Sequence, residues 1–222
     1  LTMKAIKNIP LIFGERDVMK AIQLLPGIKS AGEGGAGIYV RGGSADQNLV
    51  LMDDVPVYNA AHLLGFFSTF NPDAVEDITV YKTGMPSQYG GRLSSVLDIK
   101  MRQGDAEKFS ASGGIGLISS KLTLEGQIKK EKSSFLVSAR RTYVDALLKL
   151  SPDSTINQNT MYFYDVNGRA DFQLGENDKL TFSGYLGSDK LGIAKTFGLS
   201  WGNAIASAQW KHLYSSKLNS TT

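Results

Sequence analysis

Residues 37–58 read GIYVRGGSADQNLVLMDDVPVY, and the rest of the chain is organised around them. Ile38 and Val40 alternate with Tyr39 and Arg41, as in a half-buried strand. Gly42 and Gly43 stop that strand, and Ser44, Ala45, Asp46, Gln47 and Asn48 are turn formers. Residues 49–52 are a short apolar run, long enough for one buried strand. Asp53 and Asp54 break it. Pro56 keeps Val55 extended and starts a third strand. Asp54 stands where a turn glycine is easier, a position aspartate tolerates. Three short strands with tight polar connections define a compact, loop-rich unit.

Composition narrows the function. The chain has 222 residues, 42% hydrophobic and 20% charged, as expected of a folded protein. A formal charge of +3 gives no case for a nucleic-acid partner. With no cysteine, disulfides, Cys-ligated zinc and cysteine nucleophiles are excluded. Two histidines, His62 and His212, leave little for a metal site, and no metal or other cofactor is expected. No apolar run approaches the ~20 residues of a membrane helix. The chain opens on Leu1 without a signal peptide and stops within an alternating pattern, so it reads as a piece of a longer protein.

On the N-terminal side, residues 4–10 suggest a short strand. Val18, Ala21, Ile22 and Leu25 share one helical face, with Asp17 as N-cap and Pro26-Gly27 as the stop. Residues 30–37 are glycine-rich but lack the Gly-Lys-Ser/Thr ending of a phosphate loop, and no helix pattern follows. They read as an ordinary loop. Residues 62–70 are apolar and aromatic, as core packing would be. Asn71-Pro72 predicts the cap and first position of a short helix through Val75. Residues 78–82 and 96–101 read as strands around a turn at 84–91. Together these make a small α+β unit over residues 1–104.

The R-G-G segment, the Q-N-apolar run and D-D-V-P-V resemble the plug domain of TonB-dependent outer-membrane receptors. NPDAVEDI at 71–78 and YGGRLSSVLDI at 89–99 fit the same family, in order, and the likeness is nearest to Bacteroidetes-type receptors. The resemblance implies a transporter and not an enzyme. Its plug sits inside a barrel of about 22 strands in the bacterial outer membrane, with periplasmic access. A scarce ligand (iron–siderophore, cobalamin-like or glycan-type) would bind from outside. TonB and its inner-membrane energising complex would act through a segment upstream of Leu1. Outer-membrane lipid and a surface lipoprotein are further implied partners.

Residues 105–222 fit the opening strands of that barrel. In 121–128, Leu122, Leu124 and Ile128 oppose Lys121, Thr123, Glu125 and Gln127. In 134–143, Phe135, Val137, Ala139 and Tyr143 oppose Ser134, Ser138, Arg140 and Thr142, with Arg141 breaking the apolar face. In 162–174, Tyr162, Tyr164, Val166, Ala170, Phe172 and Leu174 oppose Asp165, Asn167, Arg169, Asp171 and Gln173. In 202–214, Ala204, Ala206, Ala208, Trp210 and Tyr214 oppose Asn203, Ser207, Gln209 and Lys211. Residues 109–117 and 180–186 follow the trend less cleanly. These lengths reach or approach the roughly 9–11 residues of a tilted membrane strand. Connections at 129–132, 175–178 and 215–216 are short, while those at 145–160 and 190–200 are expected to be long. That asymmetry is the signature of an outer-membrane barrel, long loops outside. A passive channel, an adhesin barrel or a soluble β-rich binding protein would also alternate.

No catalytic constellation is present: Asp53 and Asp54 are adjacent and diverge, and neither histidine has a Ser or Cys motif beside it. The family resemblance implies that Arg41 holds the plug against barrel-wall glutamates lying beyond Thr222. Lys82 falls near a second basic position of that lock, although Lys-Thr-Gly-Met-Pro departs from the usual basic-Gly-Pro. The family's ligand-facing plug loops fall at 32–36, 44–47 and 58–62, offering Glu33, Ser44, Asp46, Gln47, Tyr58, Asn59 and His62.

Overall fold

The computed structural model describes residues 16–32, 37–194 and 196–222. The expected strand at 4–10 and Glu33 lie outside them. Helix α1 (Val18–Gln23) begins where Asp17 accepts a hydrogen bond from Lys20 N at 2.9 Å. The other Asp17 oxygen accepts from Ser68 N at 2.6 Å, so one cap also ties down a distant loop. Two short strands, β1 (Ile28–Ser30) and β2 (Ile38–Val40), pair antiparallel.

The main sheet of this unit contains β3 (Asn48–Met52), β4 (Val55–Pro56), β7 (Val75–Tyr81) and β8 (Ser95–Met101) in the order β4-β3-β8-β7. β3 and β8 run parallel, and the other pairs antiparallel. The β3–β4 connection is the two-residue turn Asp53–Asp54, with φ of 46° and 68°. Positive φ at both central residues matches the right-handed twist of the flanking strands. A small hairpin, β5 (Ala61–His62) and β6 (Phe67–Ser68), lies between. Val18, Ile22, Val40, Phe70, Ile78, Leu97 and Ile99 form the core, each 1% exposed or less. Burying each such side chain contributes about 1.5–3 kcal/mol. The helix expected after Asn71 is absent. Asn71 Oδ1 accepts from Asp73 N at 3.0 Å and folds the segment into a turn that leads directly into β7.

The second unit is a seven-stranded antiparallel sheet in sequence order. Its strands are β9 (Ser110–Ile115), β10 (Ser119–Lys129), β11 (Ser133–Thr142), β12 (Thr160–Gln173), β13 (Asp178–Ile193), β14 (Phe197–Ser215) and β15 (Leu218–Thr221). The sheet is open. The segment between β11 and β12 is long, as expected, and carries two short helices, α2 (Val144–Leu148) and α3 (Ser154–Asn157). The other expected long loop, 190–200, is not one. β13 and β14 stay paired as far as Ile193↔Phe197. The alternation fades there while pairing continues, which is why the pattern suggested a loop.

The wall is apolar outside and polar inside. Val137, Tyr164, Val166, Phe182 and Leu186 are 39–52% exposed on its outer face. Ser134, Ser138, Arg140, Thr142, Asp165, Asn167, Asp171 and Asp189 are 3% exposed or less on its inner face. Leu136 and Tyr185 reach from that inner face into the core of the first unit. A water-soluble sandwich buries its apolar face. Here the apolar face is the one left outward, as in a membrane barrel. Strands of 11, 10 and 14 residues in β10, β11 and β12 are sufficient to span.

Candidate functional site

The polar inner face of the wall meets the first unit at two charged clusters. The upper one surrounds His62, at the end of β5 and 1% exposed. His62 Nδ1 lies 2.8 Å from Asp189 Oδ2, and Leu63 N donates to Asp189 Oδ1 at 2.7 Å. His62 Nε2 lies 3.0 Å from the Tyr185 hydroxyl and 3.3 Å from Asp165 Oδ2. Arg140 donates to Asp165 Oδ2 through Nε at 2.9 Å and Nη2 at 2.6 Å. Its Nη2 also donates to the Ser68 carbonyl at 2.8 Å. The ring of Phe163 stacks on His62, with centroids 4.1 Å apart and planes 6° apart, and lies under the Arg140 guanidinium. Burial alone would lower the pKa of His62. Hydrogen bonds to the carboxylates of Asp165 and Asp189 outweigh it and raise the pKa above the ordinary value, with Arg140 opposing.

The turn at Leu63–Gly65 is sharp. Leu63, Leu64 and Gly65 have φ of 47°, 60° and 114°. Left-handed backbone at two successive leucines is costly. It persists where Leu63 N and the His62 ring are both held by Asp189.

The lower cluster lies under the β3–β4 turn. Asp53 Oδ1 accepts from Met101 N at 2.9 Å, and the Met101 carbonyl accepts from Arg169 Nη1 at 2.6 Å. Arg169 also forks onto Asp171 at 2.8 and 3.1 Å and lies 3.7 Å from Asp53 Oδ2. Lys179 adds a contact to Asp171 at 3.0 Å. Between the clusters, Asn71 Nδ2 donates to Ser138 Oγ at 2.8 Å and Lys121 pairs with Asp73 at 2.6 Å. The arrangement is a fastening of one domain to another. Among the described residues, no group of three or more His, Asp or Glu could hold a metal ion.

The residues expected to act from sequence are placed as follows. Arg41 has φ of 50° and is exposed at the end of β2. Lys82 Nζ donates to the Pro26 carbonyl at 2.9 Å, within the same unit. Asp46, Tyr58 and Asn59 line one cleft of about 330 Å³ together with Asn48 and Arg92. Tyr58 is 86% exposed. Ser44 Oγ donates to Asp46 Oδ1 at 2.6 Å and holds that exposed carboxyl below its usual range. Gln47 Oε1 accepts from Ser44 N at 3.2 Å. His62 is not on a loop surface with these residues, because Asp165, Asp189 and Phe163 enclose it. Sequence reasoning missed the wall residues Arg140, Asp165, Arg169, Asp171, Tyr185 and Asp189 as site residues. The signal available was charge on the inner face of the strands, where an empty soluble sheet would have no use for it.

Comparison with known proteins agrees with this architecture. Residues 9–95 match the family described as TonB-dependent Receptor Plug Domain. The siderophore receptor PirA from Pseudomonas aeruginosa is similar in structure, with a TM-score of 0.61 and 16% identity over 96% of this chain and 42% of that one. The open form of the ferric-catecholate import receptor Fiu from E. coli K12 gives a TM-score of 0.65 and 13% identity over 97% of this chain and 36% of that one. This chain therefore spans about two fifths of the length of the structures it resembles. No curated protein matches the sequence. The fold is a plug-type domain followed by an open antiparallel sheet like the barrel strands of those structures.

Proposed function

We propose that the chain is the plug and opening wall of a TonB-dependent receptor of the bacterial outer membrane, a transporter and not an enzyme. The plug ends near residue 104 and the barrel begins at 105. The observation that carries this reading is the inverted wall: a polar inner face buried against a plug-type domain and an apolar outer face left for lipid. The substrate is a scarce small molecule taken from outside, of the iron–siderophore, cobalamin-like or glycan type. The two solved structures compared above are described as a siderophore receptor and a ferric-catecholate import receptor, which favours the first class. TonB acts from the periplasm through a segment preceding Leu1. The motif likeness to Bacteroidetes-type receptors supports a surface lipoprotein as an additional partner.

Arg41 and Lys82 complete a lock with carboxylates on strands beyond Thr222. The exposed position of Arg41 suits a partner supplied from there. The loops at 32–36, 44–47 and 58–62 contact the ligand through Glu33, Ser44, Asp46, Gln47, Tyr58 and Asn59. The test is uptake of labelled ferric siderophore by cells carrying the full-length receptor, with and without an intact TonB complex. Saturable uptake that requires TonB is expected. Uptake that persists unchanged without TonB would make the protein a passive channel.

A further inference from the structure

Arg141 interrupts the apolar face of β11, and the transport reading gives it no task. The structure places it on a boundary. Across the outward face, Leu122, Ala139, Val166, Leu186 and Ala204 stand in register as an apolar row. The next row, toward the long β11–β12 connection, is Ser120, Arg141, Tyr164 and Ser188. One row further, Tyr162 pairs with Lys190. The face therefore turns from aliphatic to hydroxyl, aromatic and cationic within two rows. A barrel does this where hydrocarbon gives way to headgroups.

Among the described residues, the outward strand positions at this end carry two cations and no carboxylate. The Arg141 side chain is 51% exposed. It makes one long hydrogen bond, 3.4 Å from Nη2 to Asp145 Oδ2 of α2. The other charged group of that helix is its C-cap Lys149, so α2 brings no second carboxylate. The Arg141 guanidinium lies 5.2 Å from the centroid of the Tyr162 ring. Lys190 is exposed on the β13 side of Tyr162 and makes no ion pair with a described residue. Two long basic side chains thus flank one tyrosine from strands about 10 Å apart, two strand spacings. Arginine forks onto phosphate oxygens, and lysine adds a point charge.

Beneath Arg141, Ala139 stands between the larger Leu122 and Val166. Its small side chain leaves a groove of about 830 Å³ on the apolar face, reaching up to Arg141 and Tyr164. A cationic head above an apolar trough suits a molecule that is anionic at one end and aliphatic at the other. This face is turned away from the plug, so the imported ligand does not reach it.

We infer that the outward face of β11–β13 binds a phosphorylated glycolipid of the outer leaflet, with phosphate on Arg141 and Lys190 beside Tyr162 and an acyl chain along β11 over Ala139. This site rests on the outer-membrane barrel reading proposed above and adds to it a lipid class and the residues that hold it.

The test is native mass spectrometry of the delipidated full-length receptor in detergent, titrated with bis-phosphorylated lipid A. The wild type is expected to retain one lipid. The double variant Arg141→Gln/Lys190→Gln should retain it at least about tenfold more weakly, the loss of charge-assisted hydrogen bonds. Lys130→Gln, in the turn at the opposite end of the wall, should match the wild type. Lipid A stripped of its phosphates should bind the wild type as weakly as intact lipid A binds the double variant. Equal retention by wild type and double variant overturns the site. So does equal retention of the stripped lipid, or of phosphatidylglycerol, since the assignment is to the outer-leaflet glycolipid. If the double variant fails to assemble, Lys190→Gln alone decides, because that side chain holds no ion pair whose loss would disturb folding. TonB-dependent uptake by the wild type is measured separately, so the lipid site can fail while the transport reading stands.

Discussion

Arg140 gives two hydrogen bonds to Asp165 and one to the Ser68 carbonyl from a site 3% exposed, and this makes it the most consequential single side chain of the interface. Arg140→Ala leaves Asp165 buried without its cation, a loss of about 3–5 kcal/mol. Urea titration of the full-length receptor, followed by plug protease sensitivity, should show the plug released at clearly lower urea than in the wild type. Equal midpoints would reduce Arg140 to a bystander. Asp53→Ala should cost less, about 1–3 kcal/mol, because it strands the Met101 amide and places alanine at a positive φ. At this scale, sequence reading was informative where the cause is local. The Asp53–Asp54 turn and the Asp17 cap follow from neighbours a few residues away. His62 was not legible in the same way, since its partners lie more than 100 residues further along the chain.

At the scale of elements, the wall was readable because its strands alternate over ten residues or more, with a polar set on one face. The 190–200 hairpin was misjudged because Gly192, Gly198 and Gly202 interrupt the apolar set without interrupting the pairing. The segment after Asn71 was misjudged because an Asx turn and a helix start use the same Asn-Pro signal. The junction between units has its own demand. A Cβ at Gly104 would overlap the Phe135 carbonyl of β11, so the chain leaving β8 lies directly against the wall. Gly104→Ala must push these backbones apart. Assembly of the full-length receptor, read as heat-modifiable migration on gels, should fall well below the wild type. Unchanged assembly would mean the two units are not fixed at this point.

At the scale of the molecule, the plug has its own core and the wall does not. Leu1 to Gln103, expressed alone, should be soluble and at least partly ordered by circular dichroism. The 222-residue piece should aggregate, because an open sheet edge in lipid leaves backbone groups unsatisfied at several kcal/mol each. A monodisperse 222-residue protein with a cooperative melt would revive the soluble sandwich. The long segment between β11 and β12 should face outward from the cell. A cysteine at Ser154 in the full-length receptor should react with an impermeant thiol reagent on intact cells, and one at Glu131 should not. The reverse pattern would invert the topology.

The central claim is the inverted wall, and β12 tests it most directly. Spin labels placed one at a time at residues 162–172 of the full-length receptor, in outer-membrane lipid, can be read by electron paramagnetic resonance for collision with oxygen. Collision rates should alternate with a period of two. Labels at Tyr164, Val166 and Phe172 should be in contact with lipid, and those at Asp165, Asn167 and Asp171 should be immobile and shielded. High oxygen access at the aspartate positions, or no alternation at all, would contradict the account.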